Sequence, residues 1–174
     1  MAFFLLPNNS IAKAQDVPKI EIPKMSIKQA GYMENDVRDL VAAKIGGFFP
    51  GLMTVATEFS RWEDSSRRLD ILAIDTDRNL YVIEFKRDND AAHADLQAIR
   101  YAAMLSVCDV NDLVQAGYQY RKKTHADFQI ETWQAELLKF LGETNLDEIE
   151  LPLIPRIVLV SSQFNKEITT TVLW

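Results

Sequence analysis

Residues 67–88, RRLDILAIDTDRNLYVIEFKRD, decide the fold. The runs 69–74 and 80–85 are apolar and rich in β-branched and aromatic residues, and the polar segment between them is typical of a hairpin turn. We predict a three-residue loop over 76–78. Because side chains alternate along a strand, this loop predicts the following opposed pairs: Asp70 with Glu84, Leu72 with Val82 and Ile74 with Leu80 on one face, and Leu69 with Phe85, Ile71 with Ile83 and Ala73 with Tyr81 on the other.

Charged residues interrupt this apolar hairpin at one end. Asp70 and Glu84 oppose each other there, and Lys86 lies on the same face as Glu84. Opposed like charges destabilise a sheet, and a neighbouring buried apolar patch adds a desolvation cost. Either one carboxyl group holds a proton or a divalent cation lies between the two, and carboxylates with waters and a substrate phosphate are the usual Mg²⁺ ligands. The alternative is an exposed strand end, where both acids pair with Lys86 and Arg68.

The spacing in the hairpin resembles a known motif. Asp70, thirteen intervening residues and then Glu84-Phe85-Lys86 are similar to the D-x(n)-E-x-K signature of the restriction-endonuclease-like, or PD-(D/E)XK, nuclease superfamily. Leu69 stands where the proline of the motif would be. The resemblance extends from about residue 32 to the C-terminus.

A second element strengthens the resemblance. Gln97-x-x-x-Tyr101 resembles the Q-x-x-x-Y element that some branches of the superfamily place beside the active site. The longer string 93–105, HADLQAIRYAAML, looks like this helix in a group of bacterial members without assigned substrates. Without the hairpin, Gln97 and Tyr101 would be interpreted as a partly buried packing pair on one helix face.

The resemblance implies roles for the matching residues. Asp70 and Glu84 would be metal ligands together with the backbone carbonyl of Phe85, and Lys86 would be the catalytic lysine. Gln97 and Tyr101 would complete the catalytic set by contacting backbone phosphate or bracing the site. The residues expected to bind nucleic acid are Arg67, Arg68, Arg87, Gln97 and Arg100.

Glu34 is a further candidate ligand. Several branches of the superfamily keep an extra acidic residue near the metal at the start of the first helix, and Glu34 extends the apolar stripe Val37, Val41 and Ile45 of the predicted helix. The alternative is an ordinary acidic residue at a helix N-terminus, which the helix dipole favours.

The function that follows is hydrolysis of DNA phosphodiester bonds by an Mg²⁺- or Mn²⁺-dependent nuclease. RNA is not separated from DNA, because contacts to phosphates carry no base information. The alternative function is a binding or assembly module on the same fold that does not cleave. DNA is therefore the expected partner, and a homodimer is compatible with this interpretation.

The remaining sequence predicts an α/β fold with an α-β-β-β-α-β core and a central mixed sheet flanked by helices. A helix begins at Glu34 and is ended by Gly46-Gly47, a strand covers 52–62, and a helix over 90–106 carries the periodic apolar residues Leu96, Ile99 and Ala103. Further predicted elements are helices over 109–123 and 131–142, a strand over 156–162 buried on both faces, and a closing helix over 166–174, for which a strand is the alternative because its Thr-Thr-Thr-Val run is β-prone.

The chain is predicted to form one domain. Prolines and polar pieces mark 1–31 as an N-terminal extension, and 32–174 form a single nuclease-like domain with a helical insertion over 109–142. Because the chain ends within the predicted closing helix, we expect the native protein to continue past residue 174.

Composition excludes some classes of protein. The chain has 174 residues and a net charge of −6, and residues 131–150 hold six acids and one lysine, or −5 of that charge. A uniformly basic nucleic-acid binder is therefore excluded. Basic residues nevertheless cluster locally, as in 119–125 (QYRKKTH). This segment is interpreted as a solvated helix end, and the alternative is that it binds phosphates. The single cysteine, Cys108, predicts a packed thiol and a reducing, cytoplasmic location, and no apolar run approaches membrane-span length.

Overall fold

The structure is a computed structural model that describes residues 31–60, 68–86 and 94–161. Almost all of the predicted N-terminal extension (1–31) and the whole of the predicted closing helix (166–174) lie outside these residues. The elements in chain order are α1 (Glu34–Ala43), α2 (Ile45–Phe48), β1 (Leu52–Phe59), β2 (Leu69–Asp75), β3 (Leu80–Lys86), α3 (Ala94–Leu105), α4 (Val110–Lys122), α5 (Ile130–Leu141), a 3-10 turn (Leu146–Glu148) and β4 (Arg156–Ser161).

The four strands form one mixed sheet in the order β1-β2-β3-β4. The first three strands are antiparallel neighbours, and β4 pairs with β3 in the parallel direction. A parallel neighbour requires a crossover connection, which α3, α4 and α5 supply. The α/β class, the mixed sheet and, over the described residues, the predicted order of the main helices and strands are confirmed, whereas α2 was not predicted.

The register of the central hairpin is also confirmed. The Asp75 N–H donates to the Asn79 carbonyl at 3.1 Å, which leaves 76–78 as the loop. The Asp75 carboxylate accepts hydrogen bonds from the backbone N–H groups of Asp77 and Asn79, each at 2.9 Å, and Arg78 takes the left-handed φ of +69° that closes a three-residue loop. The paired residues are Ile71 with Ile83, Leu72 with Val82, Ala73 with Tyr81 and Ile74 with Leu80.

Both faces of the hairpin are buried, which explains why both are apolar. Helices α1 and α2 cover one face, and α3, α4 and α5 cover the other. The first layer packs Val41, Ala42 and Ile45 on Ile71, Ala73, Ile83 and Phe85. The second packs Tyr101, Met104, Leu113 and Trp133 on Leu72, Ile74, Leu80 and Val82.

The first helix ends earlier than predicted. Lys44 leaves the helical conformation with φ −130° and ψ 34°, and Gly46 and Gly47 lie inside the short helix α2 instead of ending α1. This break turns the chain so that Ile45 packs into the same core cluster as Val41. The prediction that Gly46-Gly47 stops the helix is therefore wrong.

The buried face of α3 also differs from the predicted one. Leu96 and Ile99 are each 50% exposed. The residues that α3 buries are Ala98, Tyr101, Met104 and Leu105, which have helical spacing as well. Apolar residues occur around most of this helix, so the period alone could not distinguish the two faces.

Strand β4 is less buried than predicted. Ile157 is 40% exposed, and the following residues of the strand are half-buried. In the described sheet β4 is an outer strand that pairs only with β3. The strand itself is confirmed, but burial on both of its faces is wrong.

Arg121, in the predicted solvated helix end, packs inside the protein. Its guanidinium donates to the backbone carbonyls of Thr54 and Val55 in β1, at 3.3 and 3.2 Å. It also stacks on the Trp133 ring, with its central carbon 3.6 Å from the ring centroid, and pairs with Glu136. These contacts occupy Arg121 structurally, so it is not a free phosphate contact.

Helices α4 and α5 approach each other at Gly117. An added Cβ at this position would overlap the Cε2 and Nε1 atoms of Trp133. Trp133 is fully buried, and its Nε1 donates to the Leu113 carbonyl at 3.4 Å. Only glycine therefore fits here without displacing a buried aromatic ring.

Two further sequence predictions concern burial and membranes. Cys108 is half-buried, and its Sγ lies 3.7 Å from the Met104 carbonyl, as expected for a packed thiol. Among the helices of the described residues, none has both the length and the apolar character needed to cross a bilayer.

Candidate active site

Asp70 and Glu84 oppose each other at the end of the central hairpin. The observed ladder ends at Ile71 with Ile83, and its register, continued by one position, sets Asp70 opposite Glu84. Because Asp75 and Asn79 share a backbone hydrogen bond, and hydrogen-bonded positions alternate with non-hydrogen-bonded ones, Asp70 and Glu84 fall at a non-hydrogen-bonded position. Side chains of such pairs lie closer together than those of their neighbours. The register thus brings the two carboxyl groups to one place on the sheet.

The Asp70 side chain lies where the β2–β3 ladder ends. The last pair in the ladder is Ile71 with Ile83, and beyond it the Asp70 Oδ2 accepts the Phe85 N–H at 2.8 Å. The N–H and C=O of a residue in an antiparallel strand point toward the same neighbour. The Phe85 N–H therefore points toward Asp70, and the role of the Phe85 carbonyl as a ligand stays a prediction.

Glu84 is a buried carboxyl group with one satisfied oxygen. Its residue is 1% exposed, and its Oε1 lies 2.9 Å from the Lys86 Nζ. Its Oε2 is buried and has no hydrogen-bond partner in the part of the chain that the structure describes. Buried polar atoms are rarely left in this state, because the desolvation cost is not offset.

Burial sets the direction of the pKa shift for the two carboxyl groups, whereas neighbouring charges set it for Lys86. Burial, and next the charge of Asp70, raise the pKa of Glu84 to about 7, against Lys86 and the backbone N–H of Asp70, which lower it. Burial also raises the pKa of Asp70, against the Phe85 N–H and the charge of Lys86, which lower it. Burial lowers the pKa of Lys86, but the hydrogen bond and charge of Glu84 outweigh it, so this pKa is raised. At neutral pH, Lys86 is therefore an ammonium ion, and Glu84 lies near its pKa.

Helix α3 brings the Q-x-x-x-Y element to the same face of the sheet. The Gln97 Nε2 donates to the Tyr101 hydroxyl at 3.3 Å, and Tyr101 is buried. Burial raises the pKa of Tyr101, the Gln97 hydrogen bond lowers it, and the charge of Glu84 raises it further. Tyr101 lies in the same core cluster as Leu72 and Val82, the pair that precedes Asp70 and Glu84 on this face of the hairpin.

Helix α1 approaches the site from the other side of the sheet. Glu34 lies in its first turn, and its charge raises the pKa of both Asp70 and Lys86. Arg38, one turn later, lowers the pKa of Asp70 and pairs with Glu58 of β1. The sequence indicated neither Arg38 nor its partnership with Glu58; the only signal was the position of Arg38 four residues after Glu34.

The predicted nucleic-acid contacts are only partly described. Arg67 and Arg87 lie outside the described residues. Arg68 precedes β2 and Arg100 lies on α3, and both are exposed, whereas Gln97 is half-buried beside Tyr101. The structure therefore places Asp70, Glu84 and Lys86 at one end of the hairpin and Gln97 with Tyr101 on the helix that covers the same face. Their joint role in a site and the contribution of the arginines stay predictions.

The donor set fits a divalent cation of the Mg²⁺ type. Two carboxyl groups and a backbone carbonyl would offer oxygen ligands to such a cation, and the Glu84 Oε2 has no partner among the described residues. Over 31–60, 68–86 and 94–161, no cluster of three or more Asp, Glu, His or Cys side chains is close enough to bind a metal. Mg²⁺ commonly takes one or two carboxylates and keeps several waters, so Asp70 and Glu84 suffice, and Glu34 as a ligand stays a prediction.

The stability of the metal-free protein is expected to fall as the pH rises from about 5 to about 8. The pKa of Glu84 is raised from 4.5 to about 7 in the folded protein, so in this interval the folded state binds more protons than the unfolded state. Below the pKa that Glu84 has in the unfolded state, the protonated carboxyl group contributes its full stabilisation. This contribution is lost as the pH rises through the pKa in the folded state, and the free energy of unfolding falls by about 3 kcal/mol. Urea unfolding in EDTA at several pH values measures it, and a free energy of unfolding that stays constant or rises would contradict it.

Comparisons of the chain with protein-family models, with curated proteins and with solved structures found no match.

Proposed function

We propose that this protein is a divalent-metal-dependent nuclease that hydrolyses DNA phosphodiester bonds at Asp70, Glu84 and Lys86, as the resemblance to the restriction-endonuclease-like superfamily implies. The observation that carries the proposal is the state of Glu84. A buried carboxyl group with one oxygen on Lys86 and the other without a described partner costs stability. A protein that only binds a partner gains nothing from this arrangement, whereas a metal-dependent hydrolase needs it.

Asp70 and Glu84 would hold the cation, with the Phe85 carbonyl as a third protein ligand. When bound, Mg²⁺ supplies an activated water and stabilises the charge on the leaving oxygen. The bond from the Phe85 N–H fixes one oxygen of Asp70, which leaves the other oxygen of this carboxylate for a ligand. The Glu84 pKa of about 7 means that this residue loses its proton easily when a cation binds.

Lys86 would act on the reacting phosphate. Its ammonium group lies 2.9 Å from Glu84 and remains protonated because the carboxylates raise its pKa. A positive charge held at this position stabilises the charge that develops on the phosphate oxygens, or orients the attacking water for in-line attack. Tyr101 and Gln97, held together by their hydrogen bond, would brace the site or contact the backbone phosphate.

DNA is the proposed substrate, and RNA is tested beside it. The proposed contacts, which include Arg68 and Arg100, would be made to backbone phosphates and would therefore not distinguish bases. A homodimer that offers two such sites to a duplex is compatible with the proposal. The proposed location is the cytoplasm. This compartment would contain the proposed DNA substrate, and its reducing environment suits a chain whose single cysteine, Cys108, is a packed thiol.

We expect the wild-type protein to cleave DNA in Mg²⁺ or Mn²⁺ and Lys86→Met to lower the rate on the order of 10²-fold or more. The substitution removes the charge beside the phosphate and keeps the length of the side chain. The measurement is cleavage of single-stranded, double-stranded, branched and mismatched DNA, and of RNA, with and without EDTA.

Lys139→Met, at an exposed position on α5, is the matched control and should cleave like the wild type. If the wild-type protein cleaves none of these substrates with either metal, the proposed function is wrong.

A further inference from the structure

A groove lies between the end of β1 and helix α4. Its volume is about 290 Å³, close to the lower limit of about 300 Å³ for pockets that bind small molecules. Residues 56–60 form one wall, and the other consists of side chains at three- and four-residue intervals along α4. Asp70, Glu84 and Lys86 do not line the groove, so a ligand here would bind beside the candidate active site.

The groove opens at the same end of the sheet as the candidate active site. Phe59, the last residue of β1, lines the groove and pairs with Leu69, which directly precedes Asp70. Neighbouring strands lie about 5 Å apart, so about 10 Å separate β1 from β3, which carries Glu84. Stacked nucleotides rise about 3.4 Å each along a strand. A nucleic-acid strand at the candidate site would therefore reach the groove within a few nucleotides.

Two aromatic side chains, Phe59 and Tyr120, line the groove. Both are half-buried and pack against the core cluster that β1 shares with α4, so their rings are held in place. Proteins that bind single-stranded nucleic acid stack unpaired bases on aromatic rings, and any base can stack because every base has a π-face.

The polar side chains of α4 complement these rings. Gln115 and Gln119 line the groove, are exposed and lie four residues apart on one face of the helix. Their amides can donate and accept hydrogen bonds, as the edge of an unpaired base requires. Lys123, four residues further along, adds an ammonium group that can pair with a phosphate. Rings, amides and cation thus match the base face, the base edge and the phosphate of one nucleotide.

The two acidic residues of the lining are engaged within the protein. The Glu58 Oε1 accepts a hydrogen bond from the Arg38 Nη1 at 3.0 Å. The Asp112 Oδ2 accepts the backbone N–H of Asp109 at 3.0 Å, as part of the cap of α4. The positive charge of Arg38 offsets that of Glu58, which reduces the repulsion that a phosphate beside Lys123 would meet.

We infer that this groove is a subsite for one unpaired nucleotide of the nucleic-acid substrate, a few nucleotides from the bond that is cleaved. Its role in cleavage rests on the proposed function. The bases of an intact duplex are paired and stacked, so only a single strand, an overhang or an extruded base can enter. The groove would therefore make the protein prefer substrates with an unpaired base beside the cleaved bond.

The test is the binding of a labelled single-stranded oligonucleotide, and of the duplex of the same sequence, measured by fluorescence anisotropy in EDTA. EDTA prevents metal-dependent cleavage, so binding is measured apart from the metal site. The double variant Gln115→Ala/Gln119→Ala should bind the single strand about 10-fold more weakly and the duplex like the wild type. Alanine is a better helix former than glutamine, so α4 should remain folded.

Matched controls exist on the same helix. Asn111→Ala removes an exposed amide of α4 that does not line the groove, and it should bind like the wild type. Lys123→Ala and Lys122→Ala remove the same charge at adjacent exposed positions, of which only Lys123 lines the groove. Lys123→Ala should therefore weaken single-strand binding more than Lys122→Ala, and this pair carries the test if the glutamine variant unfolds.

The outcomes separate this inference from the proposed function. Weaker binding of the single strand alone, by the groove variants alone, supports the inference. If the groove variants bind the single strand like the wild type, or lose single-strand and duplex binding equally, the subsite is wrong. It is also wrong if a deoxynucleoside monophosphate binds as tightly as the oligonucleotide, because the groove would then be a site for free nucleotides. A wild type that binds the single strand and cleaves nothing in Mg²⁺ or Mn²⁺ contradicts the proposed function and leaves the groove as a nucleotide-binding site.

Discussion

Glu84→Gln is expected to lose cleavage activity on the order of 10³-fold and, at pH 8, to be more stable than the metal-free wild type. The loss of activity follows because the amide cannot replace an anionic metal ligand. The gain in stability follows because the wild type must ionise a carboxyl group that is 1% exposed, and the amide has no charge to desolvate. With a folded-state pKa of about 7, the gain at pH 8 should reach about 3 kcal/mol and should vanish near pH 4.

Two measurements on one variant test this expectation. Urea unfolding of both proteins in EDTA at pH 4, 6 and 8 gives the stability difference, and the DNA cleavage assay gives the activity. Glu150→Gln, at an exposed position, controls for the chemical change and should alter neither. If Glu84→Gln is less stable than the wild type at pH 8, the expectation is wrong. The ionised Glu84 would then stabilise the metal-free protein through its ion pair with Lys86, instead of destabilising it.

Gly117→Ala is expected to destabilise the fold by about 1 to 3 kcal/mol. The new methyl group would overlap the Trp133 indole, which cannot move freely because Arg121 stacks on it and its Nε1 donates to Leu113. The higher helix propensity of alanine offsets about 1 kcal/mol at most. The melting temperature should fall by several degrees, while the candidate active site of the folded protein stays unchanged.

Gly47→Ala is the matched control for this substitution. A Cβ at Gly47 meets no atom within 4 Å, so alanine there should leave the melting temperature equal or slightly higher. If both substitutions have the same effect, the close approach of α4 and α5 does not limit stability, and the cost of Gly117→Ala lies elsewhere.

The hairpin and its site could be predicted because their determinants are local. The polar segment 75–79 fixes the loop, the loop fixes the register, and the register decides which side chains share a face. Asp70, Glu84 and Lys86 therefore followed from counting along two strands. Gln97 and Tyr101 followed from a resemblance confined to one helix.

The determinants that were missed are distant in sequence. Arg121 packs on strand residues and an indole far from it along the chain, and nothing in QYRKKTH distinguishes it from its exposed neighbour Lys122. Arg38 meets Glu58 only after α1 has packed on the sheet. The buried face of α3 was likewise chosen by its position over the sheet, since Leu96 and Tyr101 both satisfy the helical period.

The contacts of Arg121 also bear on how the protein avoids aggregation. A strand at the margin of a sheet offers its backbone to any other strand, and proteins protect such margins with charged side chains and bulges. In the described sheet β1 is such a strand, and it combines a register shift between Thr54 and Ala56 with an arginine on the Thr54 and Val55 carbonyls. An incoming strand would have to displace this arginine from its indole and its carboxylate partner. A cation that the sequence suggested for phosphates therefore covers backbone carbonyls of an outer strand of the described sheet, where it would hinder pairing with a strand of another chain.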